Sequence, residues 1–142
     1  MKHYGIFSFL LWLAAGPLLA DEAAINSGLG SFVFRDQKTD PEKPVTVWYY
    51  RPETWDKSKP VLFVMHGMQR NGESYRQAWI ASAREHQALL LVPEFASQHY
   101  SSTAYNRGGV SLKVDESKWT FALIENLFDH VRAATGLERT NY

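Results

Sequence analysis

The residues with the clearest potential for chemistry are His66 and Gly67, which end an apolar run from Val61 to Met65. A short run rich in β-branched and aromatic residues, bounded by Pro60 and Gly67, predicts a strand buried on both faces. Strands of this kind belong to parallel sheets that carry helices above and below. Because ligands bind at the carboxyl ends of the strands in open α/β sheets, the His-Gly pair is predicted to lie at a ligand-binding edge.

The elements around this loop follow the order β-β-β-α-β-loop-α, which predicts an α/β sheet with right-handed crossovers. Residues 21–30 are expected to be a loose lead-in, and Trp55 is expected to pack against the sheet. A capping box opening at Ser74 predicts a helix through about His86. The remaining predicted elements are an antiparallel hairpin of strands 32–34 and 45–50, a buried strand 88–93, a long loop 94–114 and a helix 117–135 with Gly136 at its C′ position.

Composition narrows the class of protein. The 142 residues are 45% hydrophobic and 21% charged, which is typical of one globular domain. Lys and Arg together number 15, as do Asp and Glu, so nothing in the net charge favours a nucleic-acid partner. The absence of Cys from the sequence excludes disulfides, thiolate metal sites and cysteine nucleophiles.

The first twenty residues have the pattern of a signal peptide. Lys2 gives a positive n-region, Tyr4–Leu13 form an apolar segment of signal-peptide length, and Ala20 offers a small residue at the cleavage point. The expected organisation is a signal peptide at 1–20 and a domain at 21–142. We therefore expect an exported protein, periplasmic or secreted, with no stable membrane span after cleavage near Ala20. The alternative is an uncleaved anchor, because Leu18 is bulkier than is ideal at the −3 position; the oligomeric state stays open.

The same residues carry a family resemblance. An opening hairpin followed by the strand Val61–Met65 and by His66-Gly67 resembles the start of the α/β-hydrolase fold. The run His66–Trp79 is similar to exported esterases of the poly(3-hydroxybutyrate) depolymerase and feruloyl esterase kind, and Leu91–Phe95 matches their next strand and its exit. The resemblance covers about 32–142 and implies the N-terminal part of an α/β-hydrolase-like sheet.

In that family the His-Gly loop supplies half of an oxyanion hole. The resemblance implies that His66, Gly67 and Met68 form this loop, with the Met68 N–H holding the negative oxygen of a tetrahedral intermediate. It implies that His66 orients the loop and is not the catalytic base. The alternative for the His66 side chain is a hydrogen-bonded turn histidine that takes no part in chemistry.

The nucleophile of such an enzyme is missing from the sequence. The hydrolase serine sits in G-x-S-x-G, and no such pentapeptide occurs here. Ser74 and Ser111 each follow a glycine two positions earlier, but Arg76 and Lys113 stand where the second glycine belongs. Ser74 is better explained as a helix cap. In the family the elbow, the acid and the base come later in the chain, so no triad member can be assigned, and the sequence implies neither a cofactor nor a metal.

Other residues with potential chemistry carry weaker signals. Histidines at scattered positions lack ligand spacing and are interpreted as surface or helix-end residues: His86, His99 and His130. The segment Gly28-Leu-Gly30 lacks the later glycine of a dinucleotide loop. Acidic residues before the last helix suit its dipole: Asp115 and Glu116. Residues of the long loop either border a cleft or only fill the loop: Tyr100, Tyr105 and Asn106.

Three hypotheses follow from the sequence. The first is the N-terminal portion of an exported serine hydrolase that cleaves small or polymeric carboxylic esters through an acyl-enzyme and is inactive as these 142 residues. The second is an inactive truncated remnant. The third is an exported aromatic-rich binding module, motivated by the aromatic content of 14% and testable at Trp55.

Overall fold

The fold is a four-stranded mixed sheet with helices on both faces. A computed structural model describes residues 24–110, 113, 115–140 and 142. The strands and helices, in chain order, are β1 (Gly28–Phe34), β2 (Val45–Arg51), β3 (Val61–Phe63), α1 (Gly72–Glu85), β4 (Leu89–Glu94), α2 (Ser102–Asn106) and α3 (Thr120–Thr135), and a 3₁₀ turn (Glu116–Lys118) directly precedes α3. The predicted signal peptide and Ser111 lie outside the described residues.

The strand order across the sheet is β1-β2-β4-β3. β1 pairs antiparallel with β2, β2 pairs antiparallel with β4, and β3 pairs parallel with β4. This mixed sheet confirms the predicted α/β class with an antiparallel opening hairpin. The parallel pair brings the carboxyl ends of β3 and β4 to the same edge, and the chain leaves β3 there at Val64–Gly67.

Two apolar clusters hold the helices to the sheet. On one face, Leu89 and Leu91 of β4 belong to the same buried cluster as Leu127 and Val131 of α3. On the other face, Leu90 and Val92 cluster with Ala83 of α1. β4 is buried on both faces because it lies between β2 and β3 and beneath both helices. The predicted helix end is confirmed, since Gly136 adopts the left-handed conformation with φ 67°. Trp55 is 4% exposed, as predicted for a residue packed against the sheet.

Several predicted details are wrong. β3 is not buried on both faces: Leu62 and Phe63 are only partly buried, Met65 is 44% exposed, and β3 forms the edge of the described sheet. The long loop after β4 contains α2. The lead-in is shorter than expected, because 28–31 extend β1 and pair with 48–51. At Gly30 an added Cβ would lie 2.3 Å from the Tyr49 ring, so the strand needs glycine there.

The start of α1 also differs from the prediction. The helix begins at Gly72 with Asn71 at the N-cap, so Ser74 lies inside the first turn and does not cap it. The Asn71 side chain makes no capping bond. A carboxylate from another strand, Glu94, accepts the Gly72 N–H instead, at 2.8 Å. A tertiary contact therefore replaces the local capping box that the sequence suggested. None of the helices that the structure describes combines the length and the hydropathy that a membrane span needs.

Candidate active-site loop

His66 joins the exits of the two parallel strands. Its side chain is buried, and its Nε2 accepts the Phe95 N–H at 2.9 Å. The other ring nitrogen, Nδ1, lies 2.8 Å from the Gly67 carbonyl oxygen. Because a backbone N–H can only donate, Nε2 must be unprotonated and Nδ1 must carry the proton. Both nitrogens are thereby used within the protein, and His66 acts as a structural link between β3 and β4.

The environment favours the neutral form of this histidine. Burial lowers the pKa of His66, and the positive charge of Arg70 lowers it further, while the bond to the Gly67 carbonyl opposes this shift. Protonation would also place an N–H at Nε2 against the Phe95 N–H. The link is therefore intact at neutral pH.

The segment after His66 is a tight turn. The Arg70 N–H donates to the Gly67 carbonyl at 3.2 Å, which places Met68 and Gln69 at the two central positions of a β-turn. Both central residues are exposed, and Met68 is 57% accessible. Across the described residues the Met68 N–H makes no hydrogen bond. Such a turn presents a backbone donor to whatever lies beyond the sheet edge.

Gly67 is where this turn meets α1. A Cβ added there would lie 2.8 Å from the hydroxyl oxygen of Tyr75, closer than real Cβ atoms approach other atoms. Glycine therefore lets the turn pack against the first residues of the helix. The turn ends at Arg70, which takes a left-handed φ of 56° and needs support from its neighbours to remain there.

Residues of the β4 exit provide part of this support, a role that was not predicted from the sequence. Glu94 Oε2 accepts the Gly72 N–H and, at 2.9 Å, the indole N–H of Trp48. The Arg70 Nη1 donates to the Phe95 carbonyl at 2.5 Å. Glu94 ends the buried strand β4 and Phe95 directly follows it, and their position at the edge shared with His66 was the available signal.

A further support comes from the long loop. Tyr105 in α2 stacks on the His66 ring, with 4.5 Å between centroids and 23° between planes, and its hydroxyl donates to the His66 carbonyl. The Arg70 guanidinium lies 4.3 Å from the centroid of the same ring. The structure thus places Tyr105 against the predicted loop. Tyr100 is buried instead and donates to the Lys43 carbonyl at 2.7 Å.

The remaining candidate residues do not assemble into a second site. His86 is exposed at the end of α1, His99 lies beside Gln98, and His130 packs on Phe32 and Phe34. Asp115 accepts the Ser117 N–H at the start of the 3₁₀ turn. In the parts of the chain that the structure covers, no three His, Asp or Glu residues lie close enough together to hold a metal ion.

The strand order and the helices on both faces are those of the N-terminal part of an α/β-hydrolase-like sheet. The solved structures that are similar to this chain include two enzymes of the α/β-hydrolase type. Poly(aspartic acid) hydrolase-1 from Sphingomonas sp. KT-1 is 39% identical over 83% of this chain and 46% of its own, with a TM-score of 0.73. The poly(3-hydroxybutyrate) depolymerase LpqC from Bordetella parapertussis is 28% identical over 84% of this chain and 44% of its own, also with a TM-score of 0.73.

These structures confirm the resemblance to α/β-hydrolases that the sequence predicted, and they are hydrolases that act on polymers, by their names. The chain spans less than half the length of either structure. A scan against protein-family models and a search of curated proteins found no match.

Proposed function

We propose that this chain forms part of the catalytic domain of a serine hydrolase that cleaves carboxylic esters through an acyl-enzyme. Its contribution is half of the oxyanion hole, formed by the turn of His66, Gly67 and Met68. The donor is the Met68 N–H, and Gly67 lets the turn that carries it pack against Tyr75 of α1. A preorganised backbone donor of this kind stabilises the negative oxygen of a tetrahedral intermediate.

The observation that carries the proposal is the exposed turn with its free donor. Met68 is a central turn residue at the carboxyl end of β3, and its N–H makes no hydrogen bond to any described residue. An N–H that is fixed in place but has no partner suits an oxygen that becomes charged only during the reaction. His66 holds the turn and has no free nitrogen with which to act as a base.

The nucleophile, acid and base of the proposed reaction lie outside these 142 residues. The lengths of the two similar structures support this part of the proposal, because each is more than twice the length that the chain covers. The edge of β3 supports it as well. Beside that edge is a groove of about 630 Å³ whose apolar lining includes Val61, Phe63 and Ile124. A further parallel strand placed there would end next to the His66 turn.

The proposed substrate is a polymeric or small carboxylic ester, and the proposed location is periplasmic or extracellular. Names of the similar structures favour a polymer, since one refers to poly(aspartic acid) and the other to a polyester. The signal-peptide pattern ending at Ala20 supports export, and the N-terminal sequence of protein recovered from the periplasm or medium tests the cleavage point.

A chimera tests the oxyanion role. The segment of poly(aspartic acid) hydrolase-1 that aligns with this chain is replaced by residues of this chain, and the remainder of that enzyme supplies its own residues. In this background Met68→Pro removes the N–H at a turn position that tolerates proline, and Met68→Ala keeps the N–H. We expect Met68→Pro to lower kcat about 10²- to 10³-fold on poly(aspartic acid) and on a p-nitrophenyl ester. The kcat of Met68→Ala should stay within about threefold of the parent.

Two results would overturn the proposal. One is a chimera that folds cooperatively but hydrolyses neither substrate, which would fit an inactive remnant. The other is a Met68→Pro variant that keeps its activity. Preference of the active chimera for the ester or for the amide polymer then shows which of these two substrates this chain helps to select.

A further inference from the structure

Tyr105 contacts both ends of the His66–Arg70 turn. At the first end its ring stacks on His66 and its hydroxyl donates to the His66 carbonyl. At the other end the Arg70 guanidinium lies over the ring, 4.3 Å from its centroid. The ring thus spans a five-residue segment whose middle residue is Met68. Phe95 also bonds both ends, but it does so through its backbone N–H and carbonyl.

We propose that Tyr105 is a positioning residue that fixes the Met68 N–H in the geometry required of an oxyanion donor. This inference rests on the proposed function, because it assigns the residue that holds the same turn. Tyr105 does not reach the reacting atoms. It acts through His66 and Arg70.

The conformation of the His66–Arg70 turn explains why a neighbouring side chain must hold it in place. Arg70 has a left-handed backbone, which a residue with a Cβ adopts only when its surroundings hold it. Its guanidinium is retained by the Tyr105 ring and by the Phe95 carbonyl. The His66 carbonyl belongs to the peptide bond that joins His66 to Gly67. Because the Tyr105 hydroxyl donates to this carbonyl, it sets the direction in which the chain enters the turn. Because burial raises the pKa of Tyr105, the hydroxyl remains a donor at neutral and moderately alkaline pH.

Tyr105 is itself held firmly in place. Its helix α2 is capped by Ser101, whose Oγ accepts the Ala104 N–H at 3.1 Å. The ring also packs on Phe95, with centroids 5.4 Å apart, and Phe95 contacts Tyr100 edge to face at 5.0 Å. An aromatic cluster therefore connects α2 to the exit of β4. We call the contacts of Tyr105 with His66 and Arg70 the clamp. Through Phe95 the clamp is attached to the same exit of β4 that His66 and Arg70 contact.

Kinetics of the poly(aspartic acid) hydrolase chimera test the proposal. Tyr105→Phe removes only the hydroxyl donor, and Tyr105→Leu removes the donor and the stacking surface. Tyr100→Phe is the matched control, because it deletes a hydroxyl that bonds a carbonyl remote from the turn. We expect kcat to fall about tenfold in Tyr105→Phe and about a hundredfold in Tyr105→Leu, with KM within about twofold, since a displaced donor weakens the transition state more than ground-state binding. Tyr100→Phe should keep the kcat of the chimera.

Amide exchange in the 142-residue chain provides a second measurement that needs no activity. The Arg70 N–H closes the turn on Gly67, and the Val64 N–H bonds Leu91 within the sheet. In Tyr105→Leu we expect Arg70 exchange to accelerate at least about tenfold while Val64 exchange stays unchanged.

The outcomes separate the two proposals. Unchanged kcat in both Tyr105 variants, or an equal fall in Tyr100→Phe, would overturn the positioning role. Unchanged Arg70 exchange in Tyr105→Leu would overturn it as well. An inactive parent chimera together with faster Arg70 exchange would overturn the proposed function and support the clamp as a structural assignment.

Discussion

Replacing Glu94 tests how the loop and α1 are joined to the sheet. Its Oε2 accepts the Gly72 N–H at 2.8 Å and the Trp48 indole N–H at 2.9 Å. Glu94→Ala removes both acceptors at once, and Asn71 has no capping bond with which to compensate. Glu94→Gln keeps one side-chain oxygen in place and removes the charge. The two variants therefore separate the hydrogen bonds from the charge at the N-terminus of α1.

The expected magnitude follows from the two donors. A hydrogen bond to a charged group contributes about 1.5 to 3 kcal/mol, and a buried donor left without a partner costs about 1 to 3 kcal/mol. Gly72 is buried, so its N–H should bear the full cost, whereas the half-buried Trp48 can bond water. A negative charge near a helix N-terminus adds about 0.3 to 1 kcal/mol. We expect Glu94→Ala to lower the free energy of unfolding by about 3 kcal/mol and Glu94→Gln by about 1 kcal/mol.

Urea denaturation followed by circular dichroism measures these changes. A double-mutant cycle with Trp48→Phe isolates one bond, because Trp48→Phe removes the indole donor before Glu94 is replaced. The coupling energy should be about 1 to 2 kcal/mol. The role assigned to Glu94 is wrong if Glu94→Ala unfolds at the parent urea concentration, if Glu94→Gln and Glu94→Ala are equally destabilising, or if the coupling energy is zero.

Three further changes test other contacts of the loop and the core. Gly67→Ala places a Cβ 2.8 Å from the Tyr75 hydroxyl, so urea denaturation should show a free energy of unfolding lower by about 1 to 2 kcal/mol. Tyr75→Phe should restore most of this loss, because the next Tyr75 atom is 3.8 Å away. An additive pair of effects would contradict this. The pKa of His66 in the folded chain lies below its usual 6.5, so the unfolded chain binds the proton first as the pH falls. The contribution of His66 to the free energy of unfolding should therefore be fully present above about pH 6.5. Below that pH the free energy of unfolding should decline by up to about 1.4 kcal/mol per pH unit. Unfolding free energies measured from pH 7.5 to 5 should show a smaller decline in His66→Gln, and equal declines would refute the assignment. Leu127→Ala in the core should lower the free energy of unfolding, measured by calorimetry, by about 2 to 5 kcal/mol. Asp129→Ala on the exposed face of the same helix should change it by less than about 0.5 kcal/mol. Similar losses in the two variants would contradict the assigned faces.

The sequence predicted those features that depend on local pattern. A run made up entirely of β-branched and aromatic residues at 45–50 identified β2, and five consecutive apolar positions before Pro93 identified the buried β4. Gly136 marked the end of α3. The position of the His66 turn at the carboxyl edge also followed, because it depends only on a strand that ends at a polar pair.

The parts that were wrong or missed depend on tertiary contacts. The local pattern predicted a cap at Ser74. In the structure, the carboxylate of Glu94, which lies on a strand twenty residues further along the chain, accepts an N–H at the start of the helix instead. Periodicity cannot tell an edge strand with apolar residues from a central one, which is why β3 was expected to be buried. Tyr105 stood in a loop without periodicity, so its stacking on His66, thirty-nine positions earlier, could not be read from spacing.

The strand order has a consequence for how this chain folds. β4 is made after β3 yet sits between β3 and β2, and in the described sheet it is the strand to which β3 is bonded. During synthesis β1 and β2 can close as a hairpin early, but β3 has no partner until residues 89–94 have left the ribosome. Folding is slower when it depends on contacts between distant parts of a chain. An apolar strand without its partner can also pair with a wrong strand before the correct one is available. The arrival of β4 should therefore set the pace at which the His66 turn first takes shape.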